Sequence, residues 1–265
     1  FEPLIADVAV SRPERFLDRI AELAAGKTVM IDKDFAPQAV RARIEAGGGQ
    51  TAAQANPITV TKARKTDAEL AGFRACHIED GAALTDFLAW TAKEARARQR
   101  TQAPLTELEA EARLLAFRAE RQGFLEASFR SISASAGNAA MCHYAAKSET
   151  NAVIDDSAPY LIDSGGQYLN GTTDVTRTLM LGEPTRDMRL AYTAVLKGFL
   201  SLLSARFPSG TQGHQLDAFA RRALWDIGLD YDHGTGHGVG HNLLIHEHPH
   251  RFDRRPNLYA LEPGN

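Results

Sequence analysis

Two aspartates eleven residues apart, Asp163 and Asp174, are the residues of this chain best suited to chemistry. Between them, Asn170-Gly171 is a tight-turn signal, because both residues tolerate the positive φ that a hairpin turn needs. Strand-forming residues flank the turn, so we predict a β-hairpin with the two carboxylates on neighbouring strands. Converging carboxylates repel each other and lose hydration, which favours a divalent metal ion between them. Taken alone the pair stays ambiguous, because Asp163-Ser-Gly is equally typical of a simple turn.

The segment His233-Gly-Thr-Gly-His237-Gly-Val-Gly-His241 offers a second set of ligands. Its histidines are spaced by four, but each interior glycine costs a helix about 1 kcal/mol relative to alanine. We therefore expect an extended or looped backbone that another group approaches closely. This segment favours the metal interpretation of the two aspartates.

The run His246-Glu-His-Pro-His250 formally matches the H-E-x-x-H pattern of zinc proteases. That pattern requires a helix that presents both histidines on one face. Pro249 would cost a helix interior about 3 kcal/mol, so we reject the zinc-helix interpretation. His246 stays of interest because it follows the glycine-histidine segment, whereas His248 and His250 are expected at the surface.

Composition excludes several classes of protein. A net charge of −3 gives no basic surface for nucleic acid, and no apolar run of 18 residues suggests a membrane span. The motifs of serine hydrolases, P-loop enzymes and dinucleotide-binding enzymes are absent from the sequence. Cys76 and Cys142 are too few for a disulfide scaffold, which suggests the cytoplasm, and both are expected to be buried.

The elements that must position these residues follow from hydrophobic periodicity and from turn and capping signals. Residues 1–61 are predicted to form a small α/β unit without an obvious sheet partner, and residues 62–265 to be α+β. Capping boxes are expected at Thr66–Glu69 and at Thr106–Glu109. The predicted helices are 12–26, 37–45, 66–81, 82–100, 106–122, 185–206 and 214–227, and the predicted strands are 28–31, 131–135, 140–145, 160–163 and 172–181.

Three ordered motifs together resemble one known family. They are Tyr160-Leu-Ile-Asp-Ser-Gly-Gly-Gln-Tyr168 with Gly171-Thr-Thr-Asp-Val-Thr-Arg-Thr178, then His233-Gly-Thr-Gly-His-Gly-Val-Gly240, then His246-Glu247. They resemble the aminopeptidase P (Xaa-Pro aminopeptidase) branch of the M24 "pita-bread", or creatinase-like, metallopeptidases. The resemblance covers roughly Ala63 to Asn265 and implies a pita-bread catalytic domain. Residues 1–61 resemble part of the non-catalytic domain that precedes it.

The resemblance implies a centre of two divalent metal ions, with Mn²⁺ expected first and Zn²⁺ or Co²⁺ as alternatives. Asp163 would bind one ion, Asp174 would bridge both, and His237 would be the single imidazole ligand. His143, His233 and His246 match histidines that act on the substrate side. The implied reaction is hydrolysis of the bond before a proline in second position, by attack of a metal-bridging water. Cytoplasmic location and homodimers are usual in the family.

One departure from the family pattern concerns two glutamate ligands expected near the C-terminus of the catalytic domain. Glu262, in Ala260-Leu-Glu-Pro-Gly264, better resembles a turn that precedes the ligand strand, so we expect it not to be a ligand. The sequence is therefore expected to be a fragment that lacks the C-terminal end of that domain. Two alternatives stay open: a prolidase that cuts Xaa-Pro dipeptides, and a binding protein that has lost its metals.

Overall fold

The computed structural model describes residues 9–265 and divides the chain into two compact units, with the boundary between Thr61 and Lys62. The first unit contains a short parallel sheet and two helices. In chain order its elements are a 3₁₀ turn Pro13–Arg15, α1 Phe16–Ala24, β1 Thr28–Ile31, α2 Gln38–Ala46 and β2 Gln50–Ala53.

The expectation that the first unit has no sheet partner is wrong, because β2 pairs with β1 in parallel from Thr28↔Gln50 to Ile31↔Ala53. The sequence Gln50-Thr-Ala-Ala53 has weak strand propensity, which explains why it was missed. A side chain at Gly49 would meet the carbonyl oxygen of Ala24 at 2.6 Å, so this glycine lets the turn before β2 pass close to α1.

The second unit combines helices with two three-stranded sheets and one two-stranded sheet. Helix α3, Pro57–Ala63, crosses the boundary between the units. The further elements are α4 Asp67–Arg98, α5 Glu107–Ala119, β3 Phe124–Ala127, β4 Ile132–Ser135, a 3₁₀ helix Ala136–Ala140, β5 Tyr160–Ser164, β6 Gly166–Tyr168, β7 Gly171–Thr172, β8 Val175–Leu179, α6 Arg186–Leu203, α7 Gly213–Trp225, β9 Gly236–Gly238 and β10 Glu247–Phe252.

Helix α4 begins as predicted but does not end at Gly81. The capping box is present, since Thr66 accepts from the Glu69 amide and Glu69 Oε2 accepts from the Thr66 amide at 2.8 Å. The helix then runs through Gly81 for 32 residues, so the predicted break is wrong. The cost of one interior glycine, about 1 kcal/mol, is outweighed by burial of apolar side chains on both sides of it, such as Cys76 before Gly81 and Leu84 and Phe87 after it.

The predicted capping box of α5 is wrong. Thr106 makes no side-chain cap, and Glu109 pairs with Arg98 instead, at 2.8 Å. Glu107 is fully buried and accepts hydrogen bonds from Ser135 at the end of β4 and from Asn138 after it. Glu109 is therefore engaged in an ion pair instead of a cap, and Glu107 takes part in a buried hydrogen-bond network.

The predicted hairpin is divided between two sheets. Strands β5 and β8 pair antiparallel, with Asp163 opposite Thr176, whereas the tip forms β6 and β7 and joins β3. The two-residue turn at the tip is Leu169-Asn170, one residue earlier than predicted, and neither residue has a positive φ. A side chain at Gly171 would lie 2.7 Å from Cys76 Sγ, so this glycine serves close packing against α4.

Helices α6 and α7 lie where the sequence predicts them. The strand at residues 140–145 is wrong, because the Ala136–Ala140 3₁₀ helix and turns occupy this region. Cys76 is buried as expected, but Cys142 is exposed.

None of the helices between residues 9 and 265 combines the length and apolar character that crossing a bilayer requires.

Candidate metal centre and active site

Asp163 lies on β5, directly opposite Thr176 of β8. Thr176 Oγ1 donates a hydrogen bond of 2.7 Å to Asp163 Oδ1. Burial raises the pKa of Asp163 above its ordinary value, and the nearby charge of Asp174 raises it further, while the Thr176 hydroxyl lowers it in part. A cation beside Asp163 would lower this pKa again, because an opposite charge favours the ionised carboxyl.

Asp174 and His237 come into contact although 63 residues separate them in the chain. Asp174 Oδ2 lies 3.4 Å from His237 Nε2, and the exposed fractions of the two side chains are 21% and 33%. His237 Nδ1 donates to the carbonyl oxygen of Gly238 at 2.8 Å, which leaves Nε2 as the nitrogen that faces Asp174. This contact with Asp174 is the main reason that the pKa of His237 is raised.

These donors fit a divalent metal ion in two respects. Two donors that are each about 2.1 Å from one ion lie at most about 4.2 Å apart, and the Asp174–His237 distance falls within that span. Two carboxylates with one imidazole suit a hard or borderline ion. Among the residues that the structure describes, however, no three His, Cys, Asp or Glu side chains converge closely enough to hold an ion by themselves.

Two more of the predicted histidines join this cluster. The rings of His237 and His246 meet edge to face with centroids 4.3 Å apart, and the ring of His143 lies 6.1 Å from that of His246. Partial desolvation lowers the pKa of His246, and the neighbouring His237 lowers it further. His246 therefore contacts the candidate ligand His237, and its lowered pKa favours the neutral imidazole.

His233 has a different environment. Its ring stacks on Tyr231 with centroids 4.6 Å apart, and its Nδ1 donates to the Gly234 carbonyl oxygen at 2.7 Å. It shares with His237 the lining of a cavity of about 600 Å³ that continues between α6 and α7. His233 thus borders the same cavity as the candidate ligand without contacting Asp163 or Asp174 in the hydrogen bonds and ring contacts of residues 9–265.

The glycine-histidine segment is extended, as predicted, and the group that approaches it is the chain's own strand β10. Strand β9 pairs with β10 antiparallel. A side chain at Gly238 would lie 2.6 Å from the ring of His250 and 2.7 Å from the Glu247 carbonyl oxygen. His241, the third histidine, points its Nε2 to the carbonyl oxygen of Asn170 at 3.1 Å, on the tip of the hairpin.

The H-E-x-x-H run forms strand β10, so the rejection of a zinc helix is confirmed. The expectation that His250 lies at the surface is wrong, since it is 5% exposed and burial lowers its pKa to about 4. Glu247 is also buried and pairs with Lys65 at 2.6 Å and Lys62 at 2.9 Å. Alternation along β10 sends Glu247 inwards while its neighbours His246 and His248 are exposed.

A buried ion pair that supports the loop before β9 was missed in the sequence. Arg221 is fully buried, donates to Asp217 at 2.7 Å, and also donates to the carbonyl oxygen of His233 at 2.9 Å. Its guanidinium lies 3.8 Å from the centre of the Tyr231 ring. The spacing of Asp217 and Arg221 by four on a predicted helix was the available signal.

Glu262 lies away from these donors. Its carboxylate pairs with Arg64 at 2.8 Å and its side chain is 44% exposed, and its amide donates to Asn265 Oδ1. This arrangement agrees with the expectation that Glu262 belongs to a turn.

Comparison with known proteins decides the family. Residues 71–265 match the profile described as "Metallopeptidase family M24". The chain belongs to the M24 metallopeptidase family. A "Probable Xaa-Pro aminopeptidase P" of Ajellomyces dermatitidis is 50% identical over 212 residues, which cover 79% of this chain and 34% of that protein. The chain thus spans about a third of the length of this M24 relative.

Solved structures give the same result for the fold. An X-prolyl aminopeptidase from Caenorhabditis elegans, described as a cytosolic enzyme with a di-nuclear active site, superposes with a TM-score of 0.83 at 32% identity. The match covers 97% of this chain and 42% of that one. An Xaa-Pro dipeptidase from Bacillus anthracis matches with a TM-score of 0.76 at 25% identity, over 92% of this chain and 66% of its own. The predicted α+β pita-bread fold of M24 enzymes is confirmed.

Proposed function

We propose that this M24 chain carries the metal-binding part of an Xaa-Pro aminopeptidase, which removes an N-terminal residue that precedes proline. The contact of Asp174 with His237, with Asp163 on the adjoining strand, is the observation that carries the proposal. The relatives named as Xaa-Pro aminopeptidases support the substrate class. Proline in second position suits a dedicated enzyme, because it lacks an N–H and has a fixed φ.

In this proposal Asp163, Asp174 and His237 would hold two divalent ions, with Asp174 shared between them. Manganese is proposed first, with zinc and cobalt as alternatives, since oxygen ligands outnumber nitrogen. The C. elegans enzyme is described as having a di-nuclear active site, which supports the number of ions. Divalent ions supply acidified water and polarise a peptide carbonyl.

The three further histidines are proposed to act on the peptide. His246 has a lowered pKa and lies against His237, so its neutral ring is able to take up a proton during turnover. His143 is exposed and lies beside His246, where it donates to the peptide carbonyl. His233 is proposed to shape the proline pocket, since its stacking on Tyr231 holds the ring in place.

The full-length protein tests this proposal with a fluorogenic Xaa-Pro-Xaa peptide, before and after removal of metal by a chelator. We expect hydrolysis that chelation abolishes and Mn²⁺ restores. Asp174→Asn should lose both activity and bound metal while keeping its circular dichroism spectrum. Asp187→Asn is the matched control, because Asp187 is an exposed aspartate in the first turn of α6. An active Asp174→Asn variant would show that the site is assigned wrongly.

A prolidase is the second candidate, and the match to the B. anthracis Xaa-Pro dipeptidase favours it specifically. Rates on a tripeptide and on the corresponding Xaa-Pro dipeptide separate the two enzymes. Metal analysis of the same preparation tests the third reading, a metal-free binding protein. We also propose a cytoplasmic location, which the description of the C. elegans enzyme supports, and a homodimer, which gel filtration with light scattering tests.

A further inference from the structure

Glu107, the first residue of α5, is a buried carboxylate to which the mechanism gives no task. It is fully buried, and its two oxygens accept five hydrogen bonds from four donor groups. Oε1 accepts from the Ser135 amide at 2.6 Å and from Asn138 Nδ2 at 3.0 Å. Oε2 accepts from the Tyr144 hydroxyl at 2.8 Å, from the Ala152 amide at 3.0 Å and also from Asn138 Nδ2 at 3.3 Å. Every donor that the described chain gives this carboxylate is uncharged.

The donors are distributed along a single segment, residues 135–152. Ser135 ends β4, Asn138 lies in the 3₁₀ helix, Tyr144 stands in the middle and Ala152 is where the chain returns to α5. The carboxylate therefore ties the start, the middle and the end of this segment to one point. The Tyr144 hydroxyl also lies 3.0 Å from Thr150, which closes the segment from within.

The segment that Glu107 holds carries one of the histidines of the proposed site. His143 directly precedes Tyr144, and its ring lies 6.1 Å from that of His246. No element of regular structure holds His143, since it lies in turns between the 3₁₀ helix and β5. The position of its ring thus depends on the anchor of its neighbour Tyr144.

We propose that Glu107 is a positioning residue of the peptidase: it gathers the 135–152 segment and thereby fixes His143 beside His246. This inference rests on the proposed function, because His143 acts on the peptide only if the chain is such an enzyme. Glu107 itself contacts none of the three proposed metal ligands in the hydrogen bonds and ion pairs of residues 9–265, so its effect passes through Tyr144 and His143.

Glu107→Gln is the most informative variant, because it preserves the shape of the side chain but replaces one of its two acceptor oxygens with an NH₂ donor. Both carboxylate oxygens face a backbone N–H, from Ser135 on one side and Ala152 on the other. In either orientation the glutamine NH₂ group meets one of these donors, which cannot become an acceptor. Tyr144→Phe is the milder second variant, and it removes only the hydroxyl nearest His143. Glu109→Gln is the control, since Glu109 lies in the same helical turn but pairs with Arg98 near the surface.

The experiment measures kcat/KM on an Xaa-Pro-Xaa peptide, metal content and hydrogen exchange in the full-length protein. A misplacement of about 1 Å reduces rates by roughly 100-fold, so we expect Glu107→Gln to lose about 10- to 100-fold and Tyr144→Phe less. Both should increase exchange in residues 135–152 with unchanged metal content, and Glu109→Gln should match wild type. In a His143→Ala background, adding Glu107→Gln should lower kcat/KM by less than about a further 2-fold, because Glu107 acts through His143.

The inference is overturned if Glu107→Gln and Tyr144→Phe keep wild-type kcat/KM, or if Glu107→Gln costs the same with and without His143. An inactive wild-type protein would overturn the proposed function itself, and the positioning role of Glu107 with it, whatever the exchange data show. Faster exchange in residues 135–152 at unchanged activity would leave Glu107 a purely structural anchor and refute the positioning role.

Discussion

Gly165 lies between Asp163 and Asp174 in the chain and packs against the residue before Asp174, so replacing it with alanine should disturb both proposed ligands. A Cβ on Gly165 would be 1.8 Å from the carbonyl oxygen of Thr173 and 2.4 Å from Ser128 Oγ. Thr173 is fully buried and directly precedes Asp174. The backbone must therefore move by about 1.2 Å before the contact with Thr173 reaches 3.0 Å.

The expected size of the effect follows from that displacement. Overpacking of this kind costs about 1–3 kcal/mol of unfolding free energy. Because Thr173 is tied to Gly166 by two hydrogen bonds of 2.9 Å, the shift cannot be absorbed locally and is passed on to Asp174. Disturbing the groups that orient metal ligands typically lowers metal affinity by about 10- to 100-fold. We expect the loss of Mn²⁺ affinity in Gly165→Ala to fall in this range.

The assay is urea unfolding together with calorimetric titration of Mn²⁺ into the folded full-length protein. Gly198→Ala is the matched control, since its Cβ would lie 1.9 Å from the carbonyl oxygen of Ala220, a clash of the same size between α6 and α7. Gly198→Ala should lose stability but keep its Mn²⁺ affinity. If Gly165→Ala bound Mn²⁺ as tightly as wild type, or if both variants lost the same affinity, the reasoning would be refuted.

Three further predictions concern stability and are checked by urea unfolding. Gly81→Ala, in α4 with no atom within 4 Å of the new Cβ, should stabilise the protein by about 0.5–1 kcal/mol, and a loss would contradict this. Asp80→Ala should cost about 3–5 kcal/mol, because it leaves the buried Arg118 without its 2.7 Å partner, and a cost below about 1 kcal/mol would show that the pair is dispensable. Burial lowers the pKa of His250 to about 4 in the folded protein, so as pH drops the unfolded chain binds this proton before the folded protein does. The free energy of unfolding should therefore fall as pH drops from about 6.5 to about 4. His250→Gln should flatten that slope, and an unchanged slope would exclude His250 as its source.

Local signals predicted much of the second unit. The capping box at Thr66 depends on residues three apart, and amphipathic periodicity gave α6 and α7. The glycine content of residues 233–241 excluded a helix, which the structure bears out. Each of these features is decided by interactions close in the chain, which a sequence displays directly.

Features that depend on distant partners could not be obtained in this way. Gly81 does not end α4, because burial along the helix outweighs the cost of one glycine. The turn at the hairpin tip is displaced by one residue because Gly171 packs against Cys76 of α4. His250 is buried because the absence of a side chain at Gly238, on the paired strand, admits its ring. Nothing in the local sequence of Glu107 indicated that it would collect four donors.

The most direct test is anomalous scattering from crystals of the full-length protein grown with Mn²⁺. We predict two peaks within coordination distance of Asp174, one of them also beside Asp163 and the other also beside His237. Manganese peaks elsewhere, or none in crystals of a preparation that hydrolyses Xaa-Pro-Xaa peptides, would contradict the assignment of these three residues as the metal ligands.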